Sequence, residues 1–99
     1  MKIVNVQELA EADLAEARDW YASRSKSAAA DLLHEFLHFI QVISELPAAF
    51  PKVHREARKA TLKKFPYAII YVVEDDRVEV IAFAHSSRKP RIWKSRVPR

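Results

Sequence analysis

The stretch that decides the fold is residues 63–91, KKFPYAIIYVVEDDRVEVIAFAHSSRKPR, which has the pattern of two β-strands joined by a short turn. From Phe65 to Val73 nearly every side chain is apolar, aromatic or β-branched, as is typical of a strand buried on both faces. Asp75 and Asp76 are expected to form the loop, because aspartate tolerates a left-handed backbone. The following residues alternate with period two, which predicts a second strand. We expect one face of it to carry Val78, Val80, Ala82 and Ala84, and the other to carry Glu79, Ile81, Phe83 and His85.

The residues before this hairpin predict a short strand and two helices. Residues 2–6 have strand composition, and Asn5 followed by Glu8 resembles a capping box at the start of the first helix. The apolar face of that helix is narrow and comprises Ala10, Leu14, Ala17 and Tyr21. A serine among residues 23–27 is expected to cap the second helix, residues 28–46. The apolar stripe of the second helix comprises Ala29, Leu32, Leu33, Phe36, Phe39, Ile40, Ile43 and Leu46, and Pro47 follows it.

One more strand is predicted between the second helix and the hairpin, in residues 56–62. There, Arg58, Ala60 and Leu62 alternate with Lys59 and Thr61. The order of elements is therefore β-α-α-β-β-β, and packing rules convert it into an α+β fold. In this fold a helical hairpin packs on one face of a largely antiparallel sheet. The length of 99 residues and the lack of a linker predict a single domain, residues 1–99.

The composition excludes many classes of enzyme. The chain has no cysteine, which excludes disulfides, thiol nucleophiles and thiolate metal sites. It has no glycine, which excludes phosphate-binding loops, the dinucleotide fingerprint and the nucleophile elbow. No apolar run approaches the roughly 20 residues that cross a bilayer, so we expect neither a membrane span nor a membrane partner. The acidic residues among positions 1–20 also argue against a signal peptide, and the protein is expected to be cytoplasmic.

Charge is distributed unevenly along the chain. Residues 1–50 have a net charge of −4, and residues 51–99 have a net charge of +8. After His85 every charged side chain is basic, and these residues are Arg88, Lys89, Arg91, Lys94, Arg96 and Arg99. This end of the chain should attract an anionic partner, for which nucleic acid and an acidic protein segment both qualify.

Residues 34–38, His-Glu-Phe-Leu-His, match the HExxH pattern of zinc hydrolases. On a helix, the spacing places His34 and His38 on one face, where both can bind zinc while Glu35 activates a water. The two histidines lie almost opposite Phe36, on the outer face of the predicted helix, and catalysis there would need a third ligand. We interpret His34, Glu35 and His38 as a solvated face that matches the motif by coincidence, with a small zinc hydrolase as the remote alternative.

Three groups of residues carry a resemblance to a known family. The first helix contributes Ala12-Asp13-Leu14, Glu16-Ala17 and Trp20-Tyr21, and the second contributes Phe36, Ile43 and Pro47. The closing strands and tail contribute Phe65-Pro66-Tyr67, Ile70-Tyr71, His85, Arg88, Pro90, Trp93 and Arg96. Together these residues resemble the RelE/ParE superfamily of toxin–antitoxin toxins, and specifically its ParE-like, plasmid stabilisation branch. The resemblance spans nearly the whole chain and implies the same β-α-α-β-β-β layout.

The resemblance implies a bacterial toxin with one of two activities. ParE-like members inhibit DNA gyrase by binding it, and the sequence favours this branch, so a protein inhibitor without a cofactor is expected. RelE-like members are the alternative, because they cut messenger RNA on the ribosome. For such a ribonuclease the resemblance implies a catalytic set of Arg58, Lys63, Lys64, His85 and Arg88, with His85 as acid or base.

The resemblance also implies a partner protein. A cognate ParD-like antitoxin with an acidic C-terminal segment is expected to neutralise the toxin. The candidate target- or antitoxin-binding residues are Arg88, Lys89, Arg91, Trp93, Lys94 and Arg96. Trp93 is expected either to lock the tail onto the body of the protein or to present the tail to the target.

Overall fold

The protein folds into a helical hairpin and a five-stranded sheet, in a computed structural model that describes residues 1–87 and 89–98. In chain order the elements are β1 (Ile3–Val6), α1 (Glu8–Ala22), α2 (Lys26–Glu45), β2 (Lys52–His54), β3 (Ala57–Thr61), β4 (Tyr67–Val73), β5 (Arg77–His85) and the short α3 (Arg91–Lys94). The predicted α+β fold, with both long helices packed on a mostly antiparallel sheet, is confirmed. The sequence does not indicate β2 or α3, because three and four residues are too few to show a periodicity.

The sheet has the order β1-β5-β4-β3-β2, so the predicted hairpin lies at its centre. Neighbouring strands are antiparallel except that β1 runs parallel to β5. The side chains of β4 alternate between two cores, which confirms that this strand is buried on both faces. Ile69 and Tyr71 pack on the helices. Ile70 faces the opposite side, which we call the outer face, in a core that includes Trp93 and Val97 of the C-terminal tail.

The helices pack through the faces that their periodicity predicts. The buried residues are Ala10 and Ala17 in α1, and Ala29, Leu32, Phe36, Phe39 and Ile43 in α2. Leu46 is 61% exposed, because α2 ends before it. Ser25 caps α2, and its hydroxyl accepts a hydrogen bond from the Ala28 N–H at 3.2 Å. Among the described residues, no helix combines the length and the apolar character that crossing a bilayer requires.

The capping box expected at the start of α1 is wrong. The N-cap is Gln7, whose side chain makes no capping hydrogen bond. Asn5 lies in β1 instead, and its amide donates to the Glu79 carboxylate of β5 at 2.8 Å. Gln7 and Arg77 donate to the same carboxylate. These hydrogen bonds, chiefly that from Asn5, hold the pKa of Glu79 below its usual range, so the charged carboxylate ties β1 to β5.

A β-bulge in β5 changes the alternation predicted for that strand. Tyr71 of β4 pairs with Val80, but the preceding Ile70 pairs with Ala82. Ile81 is therefore an extra residue without a partner in β4. As a result, the helix-side core receives Val78, Val80 and Phe83, and the outer core receives Ile81, Ala82 and Ala84. The predicted division into two faces is wrong beyond Val80, because a strand that is apolar on both faces carries no mark of an inserted residue.

The loop between β4 and β5 turns without the left-handed backbone expected at Asp75 and Asp76. Among the described residues, positive φ occurs at Arg55, with φ 52°, in the turn between β2 and β3. The Lys2 ammonium instead stabilises the β4–β5 loop, because it donates to the carbonyl oxygens of Glu74 and Asp75 at 3.1 and 2.6 Å. The expectation of a left-handed loop is wrong, although the position of the loop is confirmed.

An ion pair between α1 and the tail secures the bulge. Asp13 accepts a hydrogen bond from the Phe83 N–H, and Arg96 donates to the Ile81 carbonyl, each at 3.0 Å. The Asp13 and Arg96 side chains contact each other at 2.7 Å, with only 12% and 17% of their surfaces exposed. The pairing of β1 with β5 stops at Val80, so this ion pair binds backbone groups that no strand covers. We call the ion pair of Asp13 and Arg96 the β5 clasp.

Replacing Asp13 should therefore destabilise the fold. We expect Asp13→Ala to lower the free energy of unfolding by about 2–4 kcal/mol, because both the Phe83 N–H and the Arg96 guanidinium lose their acceptor. Urea denaturation followed by circular dichroism measures this change. The matched control is Asp19→Ala on the same helix, where the carboxylate pairs with Arg18 at the surface and the expected change is below about 1 kcal/mol. Equal losses in the two variants would contradict the clasp.

Candidate functional site

An open groove lies between α1 and the end of the sheet where β4 begins and β5 ends. This end is held together by the pairing of Tyr67 with His85 and by a hydrogen bond from the Ser86 N–H to the Pro66 carbonyl at 2.8 Å. The groove has a volume of about 780 Å³, and its lining residues are Glu16, Asp19, Trp20, Tyr21, Pro66, Tyr67, His85 and Ser87. We call it the aromatic groove.

The rings in the aromatic groove are packed against one another. Tyr67 stacks on Phe83 with ring centroids 4.8 Å apart, and His85 meets Tyr67 edge to face at 5.0 Å. Trp20 meets Tyr21 edge to face at 4.9 Å, yet it is 51% exposed. The Arg24 guanidinium lies 3.7 Å from the Trp20 ring centre, a cation–π contact. Trp20 is thus a large aromatic surface held in place and open to a partner.

The position of His85 in this groove limits its chemistry. The Ser87 N–H donates to His85 Nδ1 at 3.0 Å, and the Ser87 hydroxyl lies 2.7 Å from the same nitrogen. Because a backbone N–H can only donate, Nδ1 acts as an acceptor, and the neutral ring carries its proton on Nε2. In this arrangement Nε2 is a hydrogen-bond donor, which does not suit a base that takes a proton from a substrate hydroxyl.

Of the residues predicted for a ribonuclease site, the described ones lie at different places in the fold. Arg58 pairs with Tyr71 on β3 and β4, whereas His85 pairs with Tyr67. These positions differ by four residues of β4, or about 13 Å along the strand. Lys63 and Lys64 line a second cavity of about 350 Å³, beside α2. Arg88 lies outside the described residues.

Arg58 is engaged within the fold. Its guanidinium donates to the carbonyl oxygens of Phe50 and Ala48 at 2.6 and 3.3 Å. The neighbouring Tyr71 hydroxyl donates to the Pro47 carbonyl at 2.7 Å, and burial raises the pKa of Tyr71. Arg58 and Tyr71 therefore fasten the connection between α2 and β2 to the centre of the sheet.

The three residues of the HExxH motif have different environments. His34 and His38 are exposed on α2. The Glu35 carboxylate turns to the connection between β3 and β4, where it accepts the N–H groups of Lys63 and Lys64 at 2.6 and 3.2 Å. Within residues 1–87 and 89–98, no group of three or more histidine, cysteine, aspartate or glutamate side chains is placed to hold a metal ion. Glu35 thus serves as an acceptor for a loop, a role that the motif does not reveal.

Some of the predicted binding residues of the basic tail are exposed, and others make contacts within the fold. Lys89, Arg91 and Lys94 are exposed. Trp93 is only 7% exposed and packs in the outer core, so it locks the tail onto the body of the protein. Arg96 belongs to the β5 clasp. Among the described candidate residues of the tail, the exposed cations are therefore the groups that a partner can reach.

Sequence reasoning missed two features of this region. The aromatic groove depends on the approach of α1 to the hairpin, and no local pattern indicates that distance. The clasp joins Asp13 to Arg96 across 83 positions, and each residue taken alone resembles an ordinary surface charge. Asp13 and Arg96 both belong to the set of residues that resembles the family, and this resemblance was the available signal for the clasp.

Comparisons with known proteins agree with this architecture. A family model described as the ParE toxin of the type II toxin–antitoxin system, parDE, matches residues 4–90. The structure is similar to one described as a chromosomal ParDE toxin–antitoxin system from P. aeruginosa, with a TM-score of 0.76 and 17% sequence identity. That match covers 86% of this chain and 96% of the other chain. At this identity the structural likeness shows the fold. No curated protein matches the sequence significantly.

Replacing Glu35 should separate its role in the fold from a role in metal binding. We expect Glu35→Ala to lower the free energy of unfolding by about 1–2 kcal/mol, because two backbone N–H groups lose their acceptor. The double variant His34→Ala with His38→Ala should change it by less than about 0.5 kcal/mol, since both imidazoles are exposed. Thermal unfolding with and without a chelator measures both effects. A chelator-dependent midpoint in the parent chain that the double variant abolishes would instead establish a metal site.

Proposed function

Because the chain belongs to the ParE toxin family of type II toxin–antitoxin systems, we propose that it arrests bacterial growth in the cytoplasm by inhibiting DNA gyrase. The observation that carries the proposal is the family match over residues 4–90. In this proposal the toxin acts by binding its target and catalyses no reaction. A cognate ParD-like antitoxin with an acidic C-terminal segment neutralises it.

The geometry of the candidate catalytic residues supports an inhibitor over a ribonuclease. Cleavage of RNA requires groups that hold the phosphate and move protons within hydrogen-bond reach of one reacting centre. Arg58 is bound to carbonyl oxygens of its own chain, far along the sheet from His85. Because Ser87 holds Nδ1 of His85, Nε2 is a donor, which argues against His85 as the base of such a reaction. A RelE-like ribonuclease is therefore the second candidate.

Exposed apolar side chains support the proposed antitoxin partner. Leu37 is 61% exposed on α2, and Leu9 and Trp20 are 58% and 51% exposed on α1. An antitoxin segment that orders on binding gains affinity by burying such side chains, while charge mainly speeds and orients the encounter. The helical layer thus offers apolar contacts to such a segment.

The proposal predicts growth arrest that does not depend on His85. Expression of the chain alone should stop growth, and coexpression of an antitoxin encoded beside it should restore growth. The purified chain should inhibit supercoiling by gyrase and leave ribosomal translation intact. His85→Ala should keep both effects, because in the proposal the residue moves no proton. His34→Ala is the matched control, since this histidine is exposed on α2.

Other outcomes would point to different functions. Cleavage of ribosome-bound messenger RNA that His85→Ala abolishes and His34→Ala preserves would establish the RelE-like activity instead. The absence of growth arrest at good expression of folded protein would remove the toxin proposal altogether. A chain that arrests growth but leaves both gyrase and translation intact would contradict the target while preserving the toxin.

A further inference from the structure

The outer face of the sheet carries a cluster of basic side chains, opposite the helical hairpin. Lys59 lies on β3 two residues after Ala57, whose side chain belongs to the outer core, so Lys59 points to that face. The tail crosses the same face, because Trp93 packs in that core. We define the outer basic patch as Lys59, Lys89, Arg91 and Lys94.

Among the described residues, no acidic side chain pairs with the charges of the outer basic patch. None of its four residues forms an ion pair within residues 1–87 and 89–98. Basic residues elsewhere do form such pairs: Lys52 with Glu56, Arg77 with Glu79 and Arg96 with Asp13. The patch therefore has positive charge available for an external anion.

The tail holds its cations in a fixed arrangement. Its backbone is hydrogen-bonded from the Lys89 carbonyl, which accepts the Ile92 N–H at 3.1 Å, to the Val97 N–H, which donates to the Lys94 carbonyl at 3.1 Å. Trp93 and Val97 are only 7% and 8% exposed, and Arg96 is fixed by the clasp. A backbone that is already ordered loses less conformational entropy when the tail binds a ligand.

The chemistry of the patch favours phosphates over an acidic peptide. A disordered acidic segment needs apolar pockets to offset its ordering cost, whereas Trp93 and Val97 already point inward. Ile92 is 44% exposed, but an isolated apolar side chain is ordinary on a surface. Duplex DNA, in contrast, can be bound through its charge alone, because it carries about one phosphate per 1.7 Å of helix axis.

We propose that the outer basic patch binds the phosphate backbone of duplex DNA. The choice of DNA rests on the proposed function, because an inhibitor of gyrase meets its target on DNA. The family match covers residues 4–90, so Lys59 and Lys89 lie within it, and Arg91 and Lys94 lie beyond it. The contact is independent of sequence, and it holds the toxin at DNA on which gyrase acts.

The test measures binding of the full chain to a labelled duplex of about 20 base pairs by fluorescence anisotropy. If the patch contacts four phosphates, a plot of the logarithm of the binding constant against the logarithm of the salt concentration should have a slope of about −3.6. The affinity should then drop roughly 150-fold between about 50 and 200 mM salt. The triple variant Lys89→Gln, Arg91→Gln and Lys94→Gln should weaken binding at least about tenfold at low salt and reduce the slope to about −1.

A matched variant controls for net charge. The control variant removes an equal number of positive charges from the helical layer, by Arg18→Gln, Arg24→Gln and Lys26→Gln. This variant should keep the slope of the parent chain. Equal slopes in the two triple variants, or no binding by the parent chain at low salt, would overturn the proposal. Tighter binding to single-stranded RNA of equal length, or binding to a polyglutamate peptide without binding to DNA, would overturn it as well. Growth arrest by the parent chain is scored separately, so a failed DNA contact and a failed toxin function give different results.

Discussion

The β5 clasp is the interaction on which the rest of the architecture depends. The bulge at Ile81 shifts which side chains of β5 enter each core, and it comes where β1 has stopped covering the edge of the sheet. Backbone groups at that edge need partners, and leaving them unpaired would cost about 1–3 kcal/mol each. Asp13 and Arg96 supply those partners from opposite ends of the chain. The same ion pair therefore fixes α1, the bulged strand and the path of the tail.

The path of the tail determines where the basic residues of the C-terminal half lie in the fold. The acidic half of the chain, residues 1–50, forms β1 and the helical layer. The basic half forms the remaining strands and returns across the outer face, anchored by Trp93. Arg96 of the tail pairs with Asp13 of α1, whereas Lys89, Arg91 and Lys94 form no ion pair with the described residues. The basic C-terminal residues are thus concentrated on the outer face, although Lys63 and Lys64 lie beside α2.

Patterns that depend on many residues were predictable, and features that depend on one contact were not. The stripe of α2 and the apolar run of β4 involve most residues of each element, so periodicity identified both. The bulge at Ile81 adds one apolar residue to an apolar strand and leaves no trace in the pattern. Asn5 is a residue type that is common at helix N-caps, but its side chain donates a hydrogen bond to Glu79. The parallel pairing of β1 with β5 places that carboxylate beside it. Such outcomes depend on long-range packing, which local spacing does not encode.

Several polar side chains that resemble parts of an active site are used inside this fold. Glu35 and Arg58 both resemble parts of an active site in the sequence, yet each binds backbone groups that connect the elements of the fold. A side chain committed to such a contact cannot change partners during a reaction without exposing the group it satisfies. His85 is likewise committed through Nδ1 to Ser87. Among the described residues of the tail, Lys89, Arg91 and Lys94 are exposed cations that form no ion pair, and these are suited to electrostatic attraction and to binding.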